Sequence, residues 1–155
     1  MRIPKKVVDF LGSQSFVIVS TLDKDGSIHN SCKGVVGIDK KGVIYLLDLY
    51  KAHTYKNLKS RHYISITAVD EDRFEGYCLK GKAEFLKEDL IEPEIIKLWD
   101  TNITRRITNR IIKTLQGQKS HSGHPEVNFP KPKYLIKMKV EKIVSLAGKK
   151  QRRQS

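Results

Sequence analysis

The sequence predicts a mainly β domain of the β+α class: six antiparallel strands closing into a barrel, a short crossover helix, and a longer helix in the C-terminal half. Three observations predict it. Two turn signals of the same chemistry, DKDG at 23–26 and DKKG at 39–42, separate runs rich in β-branched residues. Glycines recur inside the apparent strands at Gly34, Gly37 and Gly81, where bulges bend a sheet toward closure. One segment, 89–117, switches to a helical period, with Ile91, Ile95, Trp99, Ile103, Ile107, Ile111 and Leu115 about every four residues. An open sheet with a helix on one face is the alternative architecture.

Taken in order, KVVDFLG at 6–12 reads as a short helix closed by Gly12. FVIVSTL at 16–22 is the first strand, and the return strand runs from 27 to 38. In both turns an Asp opens the turn and a Gly supplies a positive φ. VIYLLDL at 43–49 is almost continuously apolar, which suits a strand buried on both faces. The two hairpins in succession suggest a meander. TYKNLKSR at 54–61 reads as the crossover helix, with Thr54 near its start and Tyr55 and Leu58 facing inward. Strands follow at 63–70 and 77–86. The long helix carries a break signal at Asp100–Asn102, and Arg105, Arg106, Arg110 and Lys113 fall off its apolar stripe, on a face read as solvated. Residues 117–133 form a loop by composition, and a last strand at 134–148 alternates lysines with Ile136, Met138 and Val140.

The 155 residues fit a single domain, taken as 1–148, followed by a basic tail at 149–155 that reads as disordered. No apolar run is long enough to span a bilayer and none resembles a secretory leader, so a cytoplasmic location is expected. Cys32 and Cys78 fit no zinc spacing and are expected to be buried thiols within strands. His121 and His124 are three apart but have no third ligand nearby, so no metal site is expected. The net charge of +13 points to an anionic partner.

That charge concentrates in DLYKAHTYKNLKSRHYISI, 48–66, which joins two strands. A helix opening near Thr54 would present unpaired amides there, and Lys51, His53, Thr54 and Lys56 add charge and donors. Amides and cations meeting at a helix N-terminus suit a phosphate. A polar crossover whose lysines are merely solvated is the competing reading. No GxGxxG or Walker pattern is present, which argues against a Rossmann or P-loop nucleotide site.

The order of these pieces resembles the FMN-binding split β-barrel family of pyridoxamine 5′-phosphate oxidase-like proteins. The matching residues are the hairpins FVIVSTLDKDGSIHNS and GVVGIDKKGVIYLLD, the basic segment leading into TYKNL, the strand YISI, and GKAEFL. The resemblance covers 16–86, about half the chain. It implies an FMN cofactor in a homodimer, with two flavins at the subunit interface. It further implies that Asn30, Ser31 and Lys33 on the strand after the first turn, with Lys51, His53, Thr54 and Lys56, hold the flavin phosphate. Leu47 and Asp48 would lie along the ring through backbone atoms. Positive charge near the ring would favour the anionic reduced flavin, and a small-molecule redox substrate or electron donor is the implied partner.

The chain departs from the family in two places. The Arg-x-His substrate motif near the C-terminus is absent, so the resemblance does not extend to that substrate. Glu75, Gly76 and Tyr77 stand where a glutamine is usual. The expected function is therefore an FMN-binding oxidoreductase with a different substrate and no nominated catalytic residue. Two alternatives stay open: a small barrel binding nucleic acid, with Tyr45, Tyr50, Tyr55 and Phe74 as stacking platforms, and a split barrel binding haem or a deazaflavin.

Overall fold

The computed structural model describes residues 1–39, 41–50, 52–129 and 134–148. Lys51 and the basic tail lie outside them. The elements run α1 (Lys5–Ser13), β1 (Val17–Leu22), β2 (Ile28–Lys33), β3 (Val35–Ile38), β4 (Val43–Asp48), α2 (His53–Ser60), β5 (Tyr63–Asp70), β6 (Glu75–Lys87), α3 (Pro93–Leu115) and β7 (Tyr134–Ser145). Short 3-10 turns sit at Glu88–Leu90 and Pro125–Asn128.

The seven strands form one antiparallel sheet in the order β2-β1-β5-β6-β7-β4-β3. The sheet begins with β2 and ends with β3, yet only Gly34 separates those strands in the chain. The sheet must therefore curl until its two ends meet, which is the split β-barrel. The expected return strand at 27–38 is two strands, so the count is seven rather than six. The two hairpins are likewise not a meander, because they stand at opposite ends of the sheet with the β5–β6 hairpin and β7 between them.

Glycine chemistry follows expectation at the turns: Gly26 and Gly42 both have φ of +88°. The ladder between β6 and β7 shifts register at Lys80/Gly81. A Cβ on Gly81 would stand 2.0 Å from the Lys139 carbonyl oxygen, so only a bare backbone allows this bulge.

The main core fills the barrel. Phe10 and Leu11 from α1, Val17 and Val19 from β1, Ile44 and Leu46 from β4, Leu58 from α2, and Ile136, Met138 and Val140 from β7 all belong to it. The last three alternate with Lys137 and Lys139, as the strand period requires. Helix α1 does not stop at Gly12 but continues to Ser13, where Gln14 turns the chain into extended conformation.

A second, smaller core lies outside the barrel. Val36, Leu47, Ile91 and Leu135 are buried there, with Tyr45, Ile95, Ile96 and Trp99 packed against them. It explains the near-continuous apolar strand β4, which sends Ile44 and Leu46 inward and Leu47 outward under α3. Helix α3 itself is unbroken through Asp100–Asn102. Its apolar packing against this second core comes from its first half, and Ile111, Ile112 and Leu115 near its end are exposed. Cys32 is exposed rather than buried, because it falls on the outer face of β2, and Cys78 is half-buried. No helix among the described residues is long and apolar enough to cross a membrane.

Candidate functional site

A cleft of about 540 Å³ opens where the two ends of the sheet meet. Its walls include His29, Ser31 and Lys33 of β2, Leu47 and Asp48 of β4, His53 and Thr54 of α2, and Trp99, Asn102 and Arg106 of α3. Strand periodicity accounts for the first group. Along β2 the odd positions are half-buried toward the cleft and the even ones, Ile28, Asn30 and Cys32, are exposed. Asn30 consequently faces away from the cleft and accepts a hydrogen bond from Ser20 Oγ at 2.7 Å on the outer face.

Helix α2 starts without a side-chain cap, since Ala52 holds the N-cap position and has no oxygen to offer. The first-turn amides are thereby left for water or a ligand. Thr54, in that turn, is only 3% exposed, and its Oγ1 lies 3.0 Å from Ser31 Oγ. Amides and two hydroxyls thus converge at one end of the cleft.

Lys33 adds charge there but is already committed in part. Its Nζ is 2.9 Å from Asp48 Oδ2, and both side chains are nearly buried. The Asp48 carboxylate also accepts from Tyr134 Oη and, at 3.3 Å, from the Tyr50 amide. Burial, reinforced by the Asp48 carboxylate, pushes the Tyr134 phenol far above its ordinary value, so it remains a donor. An ammonium has three donors, and the pair with Asp48 leaves Lys33 capacity for an anion.

The structure thus brings Ser31, Lys33, Leu47, Asp48, His53 and Thr54 together at the cleft. Leu47 contributes mainly as core, at 5% exposure. Lys56, on α2, is exposed and does not line the cleft. Lys51 lies outside the described residues.

Nothing local in the chain marks the opposite wall. Arg106 was expected on a solvated face. Instead it lies across the β2–β3 junction, where its guanidinium donates to the Ser15 carbonyl oxygen. A Cβ on Gly34 would stand 2.9 Å from Arg106 Nη2, so Gly34 leaves room for it. Asn102 Nδ2 donates to the Val35 carbonyl oxygen at 3.4 Å nearby. Arg110, also expected to be solvated, makes a two-pronged contact to Glu126 at 2.8 and 2.5 Å. That guanidinium pulls the buried Glu126 carboxyl down to about 2. His121 and His124 are held locally, the first by the Gly123 amide at 3.0 Å and the second beside Arg110 at 3.3 Å.

The family model described as pyridoxamine 5′-phosphate oxidase matches residues 3–144. The chain belongs to the pyridoxamine 5′-phosphate oxidase family. Among solved structures, HupZ from Group A Streptococcus superposes with a TM-score of 0.64 at 18% identity, covering 94% of this chain and 95% of that one. A Clostridium acetobutylicum protein related to general stress protein 26 of B. subtilis, of the pyridoxinephosphate oxidase family, gives 0.55 at 17%, covering 94% and 96%. HutZ from Vibrio cholerae, described as a heme storage protein, gives 0.54 at 14%, covering 93% and 94%. At these identities the likeness carries the fold. No curated protein matches the sequence.

Proposed function

We propose that the protein is an FMN-binding flavoprotein, an oxidoreductase related to pyridoxamine 5′-phosphate oxidase that acts on a different substrate. The observation that carries this reading is the uncapped start of α2 facing the Ser31–Thr54 hydroxyl pair, with Lys33 beside it. Those groups suit the phosphate of FMN: two hydroxyls, a helix N-terminus and a cation partly compensated by Asp48. Val35, Trp99 and Ile103 offer apolar and aromatic surface along the same cleft for the ring. Bound FMN would supply the electron-transfer chemistry, and the protein would hold and orient it. A small redox substrate or electron donor is the partner this implies. The missing Arg-x-His motif argues against pyridoxamine phosphate as that substrate.

The family resemblance supports a homodimer. So does the outer face of β1 and β2, where Ile18 and Ile28 are exposed on the side opposite the core.

Haem is the second reading, favoured by the likeness to a heme storage protein and by two histidines, His29 and His53, at the cleft. The nucleic-acid reading is weaker, since Tyr55 is packed against Phe85 and Tyr134 rather than free to stack on a base.

The absorption spectrum of the purified protein, followed by titration with FMN and with haemin, separates these readings. FMN should bind, and Ser31→Ala combined with Thr54→Val should lower its affinity about 100-fold at unchanged circular dichroism, from two lost charge-assisted bonds. Unchanged FMN affinity in that variant rejects the phosphate seat. Haemin binding without FMN binding would favour the second reading.

A further inference from the structure

Beside the cleft, Asp23, His29 and His53 place one ligand atom each within 4.8 Å of one another. The three come from different elements: the β1–β2 turn, β2 and the first turn of α2. Sequence spacing alone could not assemble them, and the expectation of no metal site rested on the cysteines and on His121 and His124 instead. The two imidazoles stand nearly parallel, with centroids 5.1 Å apart and planes at 19°.

The cluster is held from behind. Asn57 Nδ2 donates to Asp23 Oδ1 at 2.7 Å and to Thr21 Oγ1 at 3.1 Å. Both Asn57 and Thr21 are buried. Asn57 stands four residues after His53, on the same face of α2. Thr21 is the register partner of His29 across the β1–β2 ladder. One buried amide–hydroxyl pair therefore fixes the carboxylate and lies against the elements that carry both rings. Its bond to Asp23 Oδ1 leaves Oδ2 to face a ligand. Such outer partners are what orient first ligands in metal sites.

We infer that Asp23, His29 and His53 form a binding site for a divalent transition metal of the zinc, cobalt or nickel class. Two imidazoles and one carboxylate favour these ions over magnesium or calcium, which take oxygen ligands. Zinc sits about 2.0–2.2 Å from nitrogen and oxygen ligands, so the atoms must draw together, and His53 is exposed rather than packed in the core. Arg61, which donates to the Asp23 and Lys24 carbonyl oxygens at 3.4 and 3.3 Å, puts a positive charge near the turn and lowers the affinity. Three protein ligands leave a coordination position. Because His29 and His53 line the cleft, that position takes water or an oxygen of an anion bound there.

The test is calorimetric titration of untagged, metal-free protein with Zn²⁺ alone, without flavin, so that its result is independent of the FMN reading. One equivalent should bind. His53→Ala and His29→Ala should each weaken binding roughly 100-fold, with circular dichroism confirming that each variant is folded. The His121→Ala/His124→Ala double variant should bind as the parent does. Absence of Zn²⁺ binding, affinity unchanged in the folded His53→Ala variant, or loss of binding in the His121/His124 double variant would overturn the inference.

Discussion

Ala52 stands where Ser, Thr, Asp or Asn would close the first turn of α2 on itself. A helix that gives up its own cap keeps those amides for something else. Ala52→Ser should raise stability in urea by about 1 kcal/mol while reducing FMN affinity, because the new hydroxyl competes with phosphate for the same donors. A stability gain with unchanged affinity would separate the amides from the ligand. Asp48 is the second residue on which the cleft depends, because it is the carboxylate paired with nearly buried Lys33. Asp48→Ala should cost roughly 3 kcal/mol in urea unfolding, since it leaves a buried ammonium uncompensated and strands the Tyr134 hydroxyl. Neither residue announces this in the sequence. Asp48 reads as the end of a strand, and its partners lie 15 and 86 positions away in the chain.

Helix α3 shows what period reveals and what it leaves out. The isoleucines at four-residue spacing placed the helix correctly, because the pattern is local. They did not say that Ile91, Ile95, Ile96 and Trp99 would find a packing surface while Ile111, Ile112 and Leu115 stay exposed, since that surface comes from β3, β4 and β7. The same limit misled the reading of the arginines: Arg106 and Arg110 fall off the stripe, yet both are used, one against Gly34 and the other against Glu126. The Arg110–Glu126 pair fastens the 3-10 turn Pro125–Asn128 to α3. The Glu126 carboxyl falls from an ordinary 4.5 to about 2 in the fold. A carboxyl lowered on folding contributes stability that is fully present above its unfolded pKa and disappears as pH drops through the folded one. Hydrogen-exchange protection of the 117–129 segment, taken relative to the intrinsic rate at each pH, should therefore fall between pH 4.5 and about 2. Glu126→Gln should show fast exchange already at neutral pH and lose that pH dependence; identical profiles for parent and variant would show that the pair does not hold the turn.

At the scale of the molecule, the sequence carried most of the strands and both hairpin turns, because β-branched runs and the two glycines at φ of +88° are local signals. It did not carry the closure. Gly34 reads as a bulge, whereas it is the junction of the sheet's two ends, and the cleft exists because the chain passes there from β2 to β3 without a ladder. The order of pieces, and the family resemblance it supported, pointed to the β2 and α2 residues that meet at one end of the cleft; the α3 wall and the Asp23–His29–His53 cluster needed the assembled fold. The outer face of β1 and β2 should be the dimer contact. Light scattering should give a dimer for the parent and a monomer for Ile18→Lys combined with Ile28→Lys, and a monomeric parent would remove that part of the account.

The phosphate seat is the claim on which the functional reading turns, and a calorimetric comparison of FMN with riboflavin tests it most directly. The two ligands share the ring and differ in the phosphate. The account predicts that FMN binds about 100-fold or more tightly than riboflavin, corresponding to roughly 3 kcal/mol from charge-assisted bonds at the start of α2. Equal affinities for the two, or binding of neither, would contradict it.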